Sequence, residues 1–382
     1  MSATLTAGAS LKEELGALVP VALRGLAAMQ DERTGLFSHK TVVGPDGGLE
    51  NRGVNRLYTG ACVVGLLSSW APLVEPHLAQ VRRALDALLR DEERDPAVLA
   101  TALWGAALSA RPEAPRLARR LSALAKPGRL SSMELGLAVV ALARWLRIGD
   151  RDDRAARDAA RALAAELERR YLPRARVFAA TGTQRLRNPA LAGLTSFASQ
   201  VYPVFGLCEL AEATGVAPSR TVGAVCDFLV RSQGARGQWW WFYSTHTPKV
   251  IEGYPVYSVH QDAMAIMALL PATRVGAGEY LSAVTAGVPW VRGHNELGVP
   301  LIDPRAGLIY RSIQRPGGDA DGLGGWSRRQ RVAAYLAALS GRGRAAPESF
   351  EILRECRSYH LGWLLLAAAM AGAGVGAPAP ER

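Results

Sequence analysis

The stretch FLVRSQGARGQWWWFY, from Phe228 to Tyr243, decides how the rest of the chain is read. It is the end of an apolar helix, then Gln233, three residues, Gly237, one residue, and Trp239. A weaker copy follows the apolar run VALRGLAAM near the N-terminus: Gln30, four residues, Gly35, one residue, Phe37. Two copies of one helix-end signature predict a repeat architecture, and a repeat fixes the fold class before any local assignment does.

Helical segments are read at 11–29, 56–70, 77–90, 96–110, 113–125, 131–147, 153–171, 196–214, 219–232, 259–271, 277–293, 326–340 and 356–372, and strand-like alternation is scarce. Some of these segments, such as VRRALDALLR from Val81 and RAARDAARALAAELERRY from Arg154, are amphipathic with charged faces and suit an outer layer. Six others are apolar nearly all round, among them LYTGACVVGLLSSW, MELGLAVVALARWL and YHLGWLLLAAAMAG, and suit an inner layer. The two kinds alternate. The expected fold is therefore all-α, an (α/α)6 toroid forming one domain over 1–372, with residues 373–382 as a disordered tail. Either the 11–29 or the 77–90 helix completes the outer count. Leu66, Leu103, Val139, Leu207, Met267 and Leu365 are expected to be buried in the inner ring. Connections from outer to inner helices are long (30–55, 172–195, 233–258, 294–325) and the reverse ones short. Long loops gathered on one face mark a functional rim, at the N-termini of the inner helices.

The chain has 382 residues, 49% of them hydrophobic, and a net charge of +11 carried almost wholly by arginine. These arginines are scattered, with no RNP, KH, zinc-finger or basic-arm pattern beside them, so no nucleic-acid partner is expected. No apolar run reaches the roughly 18 residues that span a bilayer, and the N-terminus lacks the pattern of a signal peptide. Cys62, Cys208, Cys226 and Cys356 lie in apolar segments without a CxxC pair and read as buried thiols of a cytoplasmic protein. No cofactor and no metal are expected, and the composition leaves the oligomeric state open.

The polar residues at the predicted rim form one set. Asn55, Arg56 and Tyr58 open the first inner helix, and Ser196, Gln200 and Tyr202 the fourth. Tyr254 and Tyr257 precede His260, Gln261 and Asp262 at the fifth, and Arg357, Tyr359 and His360 open the sixth. Asn295, Glu296 and Arg311 lie between those two helices. The candidate catalytic residues are Asp262, His260, Tyr257, Glu296 and His360. The candidate substrate-binding residues are Arg56, Tyr58, Trp240, Trp241, Tyr254, Asn295, Arg311 and Tyr359. Asp262 also suits the dipole of a first helical turn, and His360 suits a hydrogen-bonded core position. Of the five successive aromatics from Trp239 to Tyr243, adjacent rings cannot all face one way, so some are scaffold. The acidic runs Asp91–Asp95 and Asp150–Asp158 read as solvated faces or helix caps, and Asp319–Gly322 as a glycine loop.

The glutamine, glycine and aromatic spacing resembles the QW repeat of the terpenoid cyclase and protein prenyltransferase toroid superfamily. The resemblance implies that the glutamine caps a helix of the barrel and stacks on the tryptophan. It also implies a deep aromatic cavity in which an acid, here Asp262 or His260, protonates an isoprenoid-like substrate. The DxDD and DDxxD motifs of those enzymes are not matched. RSYHLGWLLLA from Arg357 is similar to a zinc-bearing helix of prenyltransferase β-subunits, but its partner Asp-x-Cys pair is absent. A lipid-like substrate is the main expectation. A carbohydrate-active enzyme on the same barrel is the alternative, with Arg56 and Arg311 clamping a uronate carboxylate while Tyr257 and His260 move a proton beside it. A non-catalytic scaffold is the third.

Overall fold

A computed structural model describes residues 10–69, 71–90, 93–181, 193–317 and 346–373, with isolated positions between 333 and 343. The main helices run α1 (Val19–Met29), α2 (Arg56–Ser68), α3 (Leu78–Leu89), α4 (Pro96–Leu108), α5 (Ala114–Leu124), α6 (Ser132–Ile148), α7 (Arg154–Arg169), α8 (Ala198–Thr214), α9 (Arg220–Ser232), α10 (Ala265–Arg274), α11 (Leu281–Gly287) and α12 (Ser358–Met370). A π-helical turn, His260–Met264, leads directly into α10.

The helices that are apolar all round close into a ring. α2 packs on α4, α4 on α6, α6 on α8, α8 on α10, α10 with its π-turn on α12, and α12 returns to α2. Leu66, Leu103, Val139, Leu207, Met267 and Leu365 are all buried in it. Glycines set how closely these helices approach: a Cβ on Gly65 would run into the Gly362 carbonyl, and one on Gly136 into the backbone of Tyr202. The amphipathic helices α1, α3, α5, α7, α9 and α11 pack outside the ring. The 11–29 and 77–90 segments therefore both belong to the outer layer, which makes it six. The first breaks at residues 17–18, where Pro20 starts α1. The fold is the expected all-α toroid. The expected tail at 373–382 falls, apart from residue 373, outside the described residues, as do most of the helix read at 326–340, Asp91 and the Asp319–Gly322 loop.

The outer-to-inner connections share a turn. In DERTGLF, LPRARVF, GARGQW and DPRAGLI, one residue takes a left-handed backbone, namely Gly35, Arg176, Gly237 and Gly307, with φ of 77, 60, 80 and 70°. Two residues later comes a buried apolar side chain: Phe37, Phe178, Trp239 or Ile309. In the first three, that residue's N–H donates to a polar side chain 22 residues on, in the opening turns of the next inner helix. The pairs are Phe37 with Thr59 Oγ1 (2.8 Å), Phe178 with Gln200 Oε1 (2.7 Å) and Trp239 with Gln261 Oε1 (3.0 Å). The fourth turn sets the Ile309 backbone against Cys356, just ahead of α12, across a much longer segment. Gln30 and Gln233 have matching roles. Gln30 Nε2 donates to the Gly35 and Gln80 carbonyls and Gln233 Nε2 to those of Gly237 and Ala283, so each ties its own turn to the next outer helix. Two of the four turns carry the glutamine signature that the sequence displays.

Short strands join these connections edge to edge. Residues 194–196 pair with 242–244, 256–257 with 312–314, and 38–43 with 355–356. The result is a collar over the N-terminal ends of the inner helices, built from strands too short to show alternation. The connections at 90–95 and 125–131 are brief and carry no strand among the described residues. Asp95 and Asp153 each cap a helix with the carboxylate, which accounts for the acidic runs around them.

Candidate functional site

Inside the collar lies a cavity of about 450 Å³. The first turns of five inner helices line it: Leu57, Tyr58 and Ala61 from α2, Met133 and Leu137 from α6, Ala198 and Tyr202 from α8, His260 and Met264 from the π-turn, and Tyr359 and Trp363 from α12. The collar adds Asn55, Ser196, Trp241, Tyr257 and Arg311. Its deep side is aromatic, with Trp363 Nε1 donating to the Tyr202 hydroxyl (2.9 Å). No carboxylate is found among the described residues that line it.

The polar wall is built around His260. In the π-turn, successive residues point three ways. His260 faces the cavity, and Gln261 bonds the Trp239 N–H and the Tyr257 carbonyl. Asp262, fully buried, reaches α12, where His360 Nε2 lies 2.8 and 3.0 Å from its two oxygens. The His260 ring sits between Phe197 (centroids 4.6 Å) and Tyr257 (5.2 Å). Burial drives its pKa down to about 3, against an opposing hydrogen bond to the Trp239 backbone, so the imidazole stays neutral. Its Nδ1 has no hydrogen-bond partner among the described residues.

Arg311 stands over the Tyr257 ring at 5.3 Å. Its Nη1 donates to Glu355 Oε1 (2.9 Å), while its Nε is buried without a partner among the described residues. Glu355 also receives Arg357 Nε (2.7 Å) and lies 3.6 Å from Lys40 Nζ. One buried carboxylate thus faces three cations. Burial raises the Tyr257 and Tyr359 phenols above their ordinary value, with Arg311 pulling the other way. Both hydroxyls therefore hold their protons at neutral pH. Asn55 caps α2 by accepting from the Tyr58 N–H (2.9 Å). Tyr58 stacks on His39 (5.1 Å), which also meets Arg357.

Of the candidate catalytic and substrate-binding residues, Tyr58, Trp241, Tyr257, His260, Arg311 and Tyr359 meet at this cavity, joined by Asn55, Ser196 and Tyr202 of the predicted rim. Asp262 and His360 form the buried pair behind it. The structure does not bring the others there. Arg56 bonds Glu93 (2.7 Å) and the Leu88 carbonyl (3.0 Å), tying α2 to the end of α3. Trp240 donates to the Ser232 carbonyl (2.6 Å). Glu296 accepts from the Tyr254 hydroxyl, Trp290 Nε1 and Gln238 Nε2, and Asn295 closes its own turn through the Trp290 and Val299 carbonyls. Sequence reading missed His39 and Glu355. Each sits in a short stretch, SHKTVV or EILREC, that does not alternate apolar with polar residues, so no periodic signal marked either.

No protein-family model and no curated protein sequence matches the chain. Solved structures do match. A possible member of the GH105 family from Salmonella enterica serovar Paratyphi A shares 12% identity at a TM-score of 0.58, covering 94% of this chain and 93% of that one. An unsaturated glucuronyl hydrolase specific for heparin shares 13% identity at 0.59, covering 95% and 97%. A glycosyl hydrolase of family 88 from Bacteroides vulgatus shares 10% at 0.56, covering 93% and 98%. At such identities the likeness is one of fold. It corrects the expectation of a terpenoid-cyclase-like enzyme with an isoprenoid substrate, since the similar toroids are named as glycoside hydrolases. The QW-like spacing is a property of the turn. Trp239 is fully buried against Phe197, Trp240 is bonded to the backbone, and of the three tryptophans only Trp241 lines the cavity. Among the described residues no helix is long and apolar enough to cross a membrane.

Proposed function

We propose that the protein is a carbohydrate-active enzyme that moves a proton at a carbon next to a carboxylate, as in β-elimination from, or epimerisation of, a uronic-acid residue. The observation that carries this reading is the grouping of a neutral His260, a protonated Tyr257 and the Arg311 guanidinium on one cavity wall. A hydrolase working by paired carboxylates needs two acids flanking the bond, and the described lining holds none. Arg311 suits a carboxylate because its guanidinium is a rigid planar fork of donors on the cavity wall. Charge that builds on the carboxylate as the adjacent C–H bond breaks is stabilised there. His260 takes that proton, the negative charge of the bound uronate offsetting the burial that otherwise disfavours its cationic form. In elimination, the Tyr257 hydroxyl, on the same side of the sugar as His260, protonates the departing glycosidic oxygen as the C–O bond breaks and a C=C bond forms; in epimerisation a proton from solvent enters the opposite face of the same carbon. Tyr58, Trp241 and Tyr359 supply ring surfaces for the sugar. The shared toroid supports the substrate class, since one similar protein is named for an unsaturated glucuronyl group, itself a carboxylated sugar.

The test is incubation with uronic-acid oligosaccharides and with neutral analogues reduced at the carboxylate. Elimination is read from the ultraviolet absorbance of the conjugated product, and epimerisation from solvent deuterium entering the sugar. Turnover confined to the carboxylated substrates is expected. Equal turnover of the reduced analogues would end the proposal.

A further inference from the structure

Resting on that reading, we infer that the buried Asp262–His360 pair is a positioning couple for His260, locking the π-turn to α12 so that the imidazole is held at its working place on the cavity wall. In a regular helix, residues two apart do not share a face. The π-turn keeps that separation, so His260 can face the cavity while Asp262 faces α12. Such turns recur at functional sites because they re-aim a side chain at the expense of regular hydrogen bonding. Among the described residues nothing bonds the His260 Nδ1. The ring is placed by contact with Phe197 and Tyr257, by its hydrogen bond to the Trp239 backbone and by its own backbone. That backbone is fixed on one side by Gln261, which bonds the Trp239 turn, and on the other by Asp262. The pair spans 98 residues of sequence and joins the two inner helices that bring His260 and Tyr359 to the same cavity. A buried carboxylate with both oxygens on one imidazole is costly to form without a return. The return here is geometric: misplacing a reacting group by about 1 Å costs about a hundredfold in rate.

The test compares Asp262→Asn, His360→Gln and the double variant with His260→Gln. Imidazole NMR signals of His260 are recorded for the single-site pair variants, and kcat and KM on a uronic-acid oligosaccharide for all four. The pair variants are expected to shift or broaden the His260 signals and to lower kcat about 10- to 100-fold with KM little changed. The double variant should cost no more than either single one, since the couple acts as a unit. His260 signals left in place by both single variants overturn the inference, as does lost thermal stability with kcat intact. The NMR arm needs no substrate, so it judges the couple even if no uronate is turned over. Unchanged turnover in His260→Gln would refute the catalytic reading instead. If Asp262→Asn does not fold, His360→Gln, which keeps a donor for Asp262, carries both measurements.

Discussion

The two ends of the inner ring hold ion clusters of similar composition and opposite character. At the C-terminal end, Arg144, Arg147 and Arg274 converge on Glu209 and Glu212. Arg144 donates to Glu209 (2.7 Å), and Arg147 and Arg274 reach Glu212 at 2.6 and 3.0 Å. Glu209 is fully buried, and Glu212 borders a surface pocket walled by Arg151, Arg157 and Arg161 rather than by aromatic rings. At the N-terminal end, Glu355 meets Lys40, Arg311 and Arg357, beside an aromatic cavity lined by Arg311 and His260. Counting charged side chains would rank the two ends alike. Unpartnered polar atoms do not separate the two ends either, since Arg144 Nε in the clamp lacks a hydrogen bond among the described residues just as Arg311 Nε does; what separates them is the aromatic cavity that Arg311 and His260 line.

The largest effect expected from breaking this contrast is at the cavity. His260→Gln should lower turnover about 10²- to 10⁴-fold, the span of general acid–base catalysis, while leaving the melting temperature near that of the parent. Steady-state kinetics with a thermal melt decide it, and a variant that unfolds without losing specific activity would assign His260 to the scaffold. The reverse is expected at the closed end. Glu209→Gln removes the carboxylate from three guanidiniums and should cost about 2–3 kcal/mol, below the figure for a fully buried pair because the arginines are partly solvated. Urea unfolding would show this, with activity per folded molecule unchanged.

A subtler effect concerns pH. His260 is held well below its usual pKa, so below about 6.5 the unfolded chain takes up a proton that the folded chain refuses until about pH 3. Stability from this group is present above pH 6.5 and lost as pH falls through that window. The slope of unfolding free energy against pH should therefore be shallower in His260→Gln. Equal slopes would mean the imidazole is not sequestered. Smallest of all, Arg147→Gln leaves Arg144 and Arg274 in place and should cost only about 0.5–1 kcal/mol, typical of a partly exposed ion pair.

The contrast also explains what the sequence made legible. The inner ring could be read because burial on all sides leaves no polar stripe, as in PAVLATALWGAAL, and the outer helices because one wet face does. Gln30 and Gln233 revealed two of the four turns. Those at Arg176 and Gly307 stayed hidden because one lacks the glycine and neither has the glutamine. Tyr58, Tyr257, His260, Arg311 and Tyr359 could be gathered from the polar openings of the inner helices. Glu355 and His39 could not, since only the pairing of Thr41 with Cys356 and Val42 with Glu355 brings those segments together. Arg56, Trp240 and Tyr254 have the same residue chemistry as Arg311, Trp241 and Tyr257 of the cavity, and nothing local in the sequence betrays that each already has partners elsewhere.

The meeting of α2 with α12 has a consequence for how the molecule forms. Most contacts around the ring link neighbours in sequence, but this seam joins the two ends of the chain: the Ser358 hydroxyl donates to the Ser38 carbonyl across 320 residues, and the Cys62 thiol to the Ser358 carbonyl across 296. Contacts so distant in sequence carry the greatest loop-closure entropy and form late. Tyr58 and Tyr359, whose rings lie 4.5 Å apart, face each other across that same seam. The earlier helical hairpins can stack on one another while the cavity is still missing a wall, so the site comes into being only when the circle shuts. Helix content then reports the stacking of hairpins, and the ability to bind substrate reports closure.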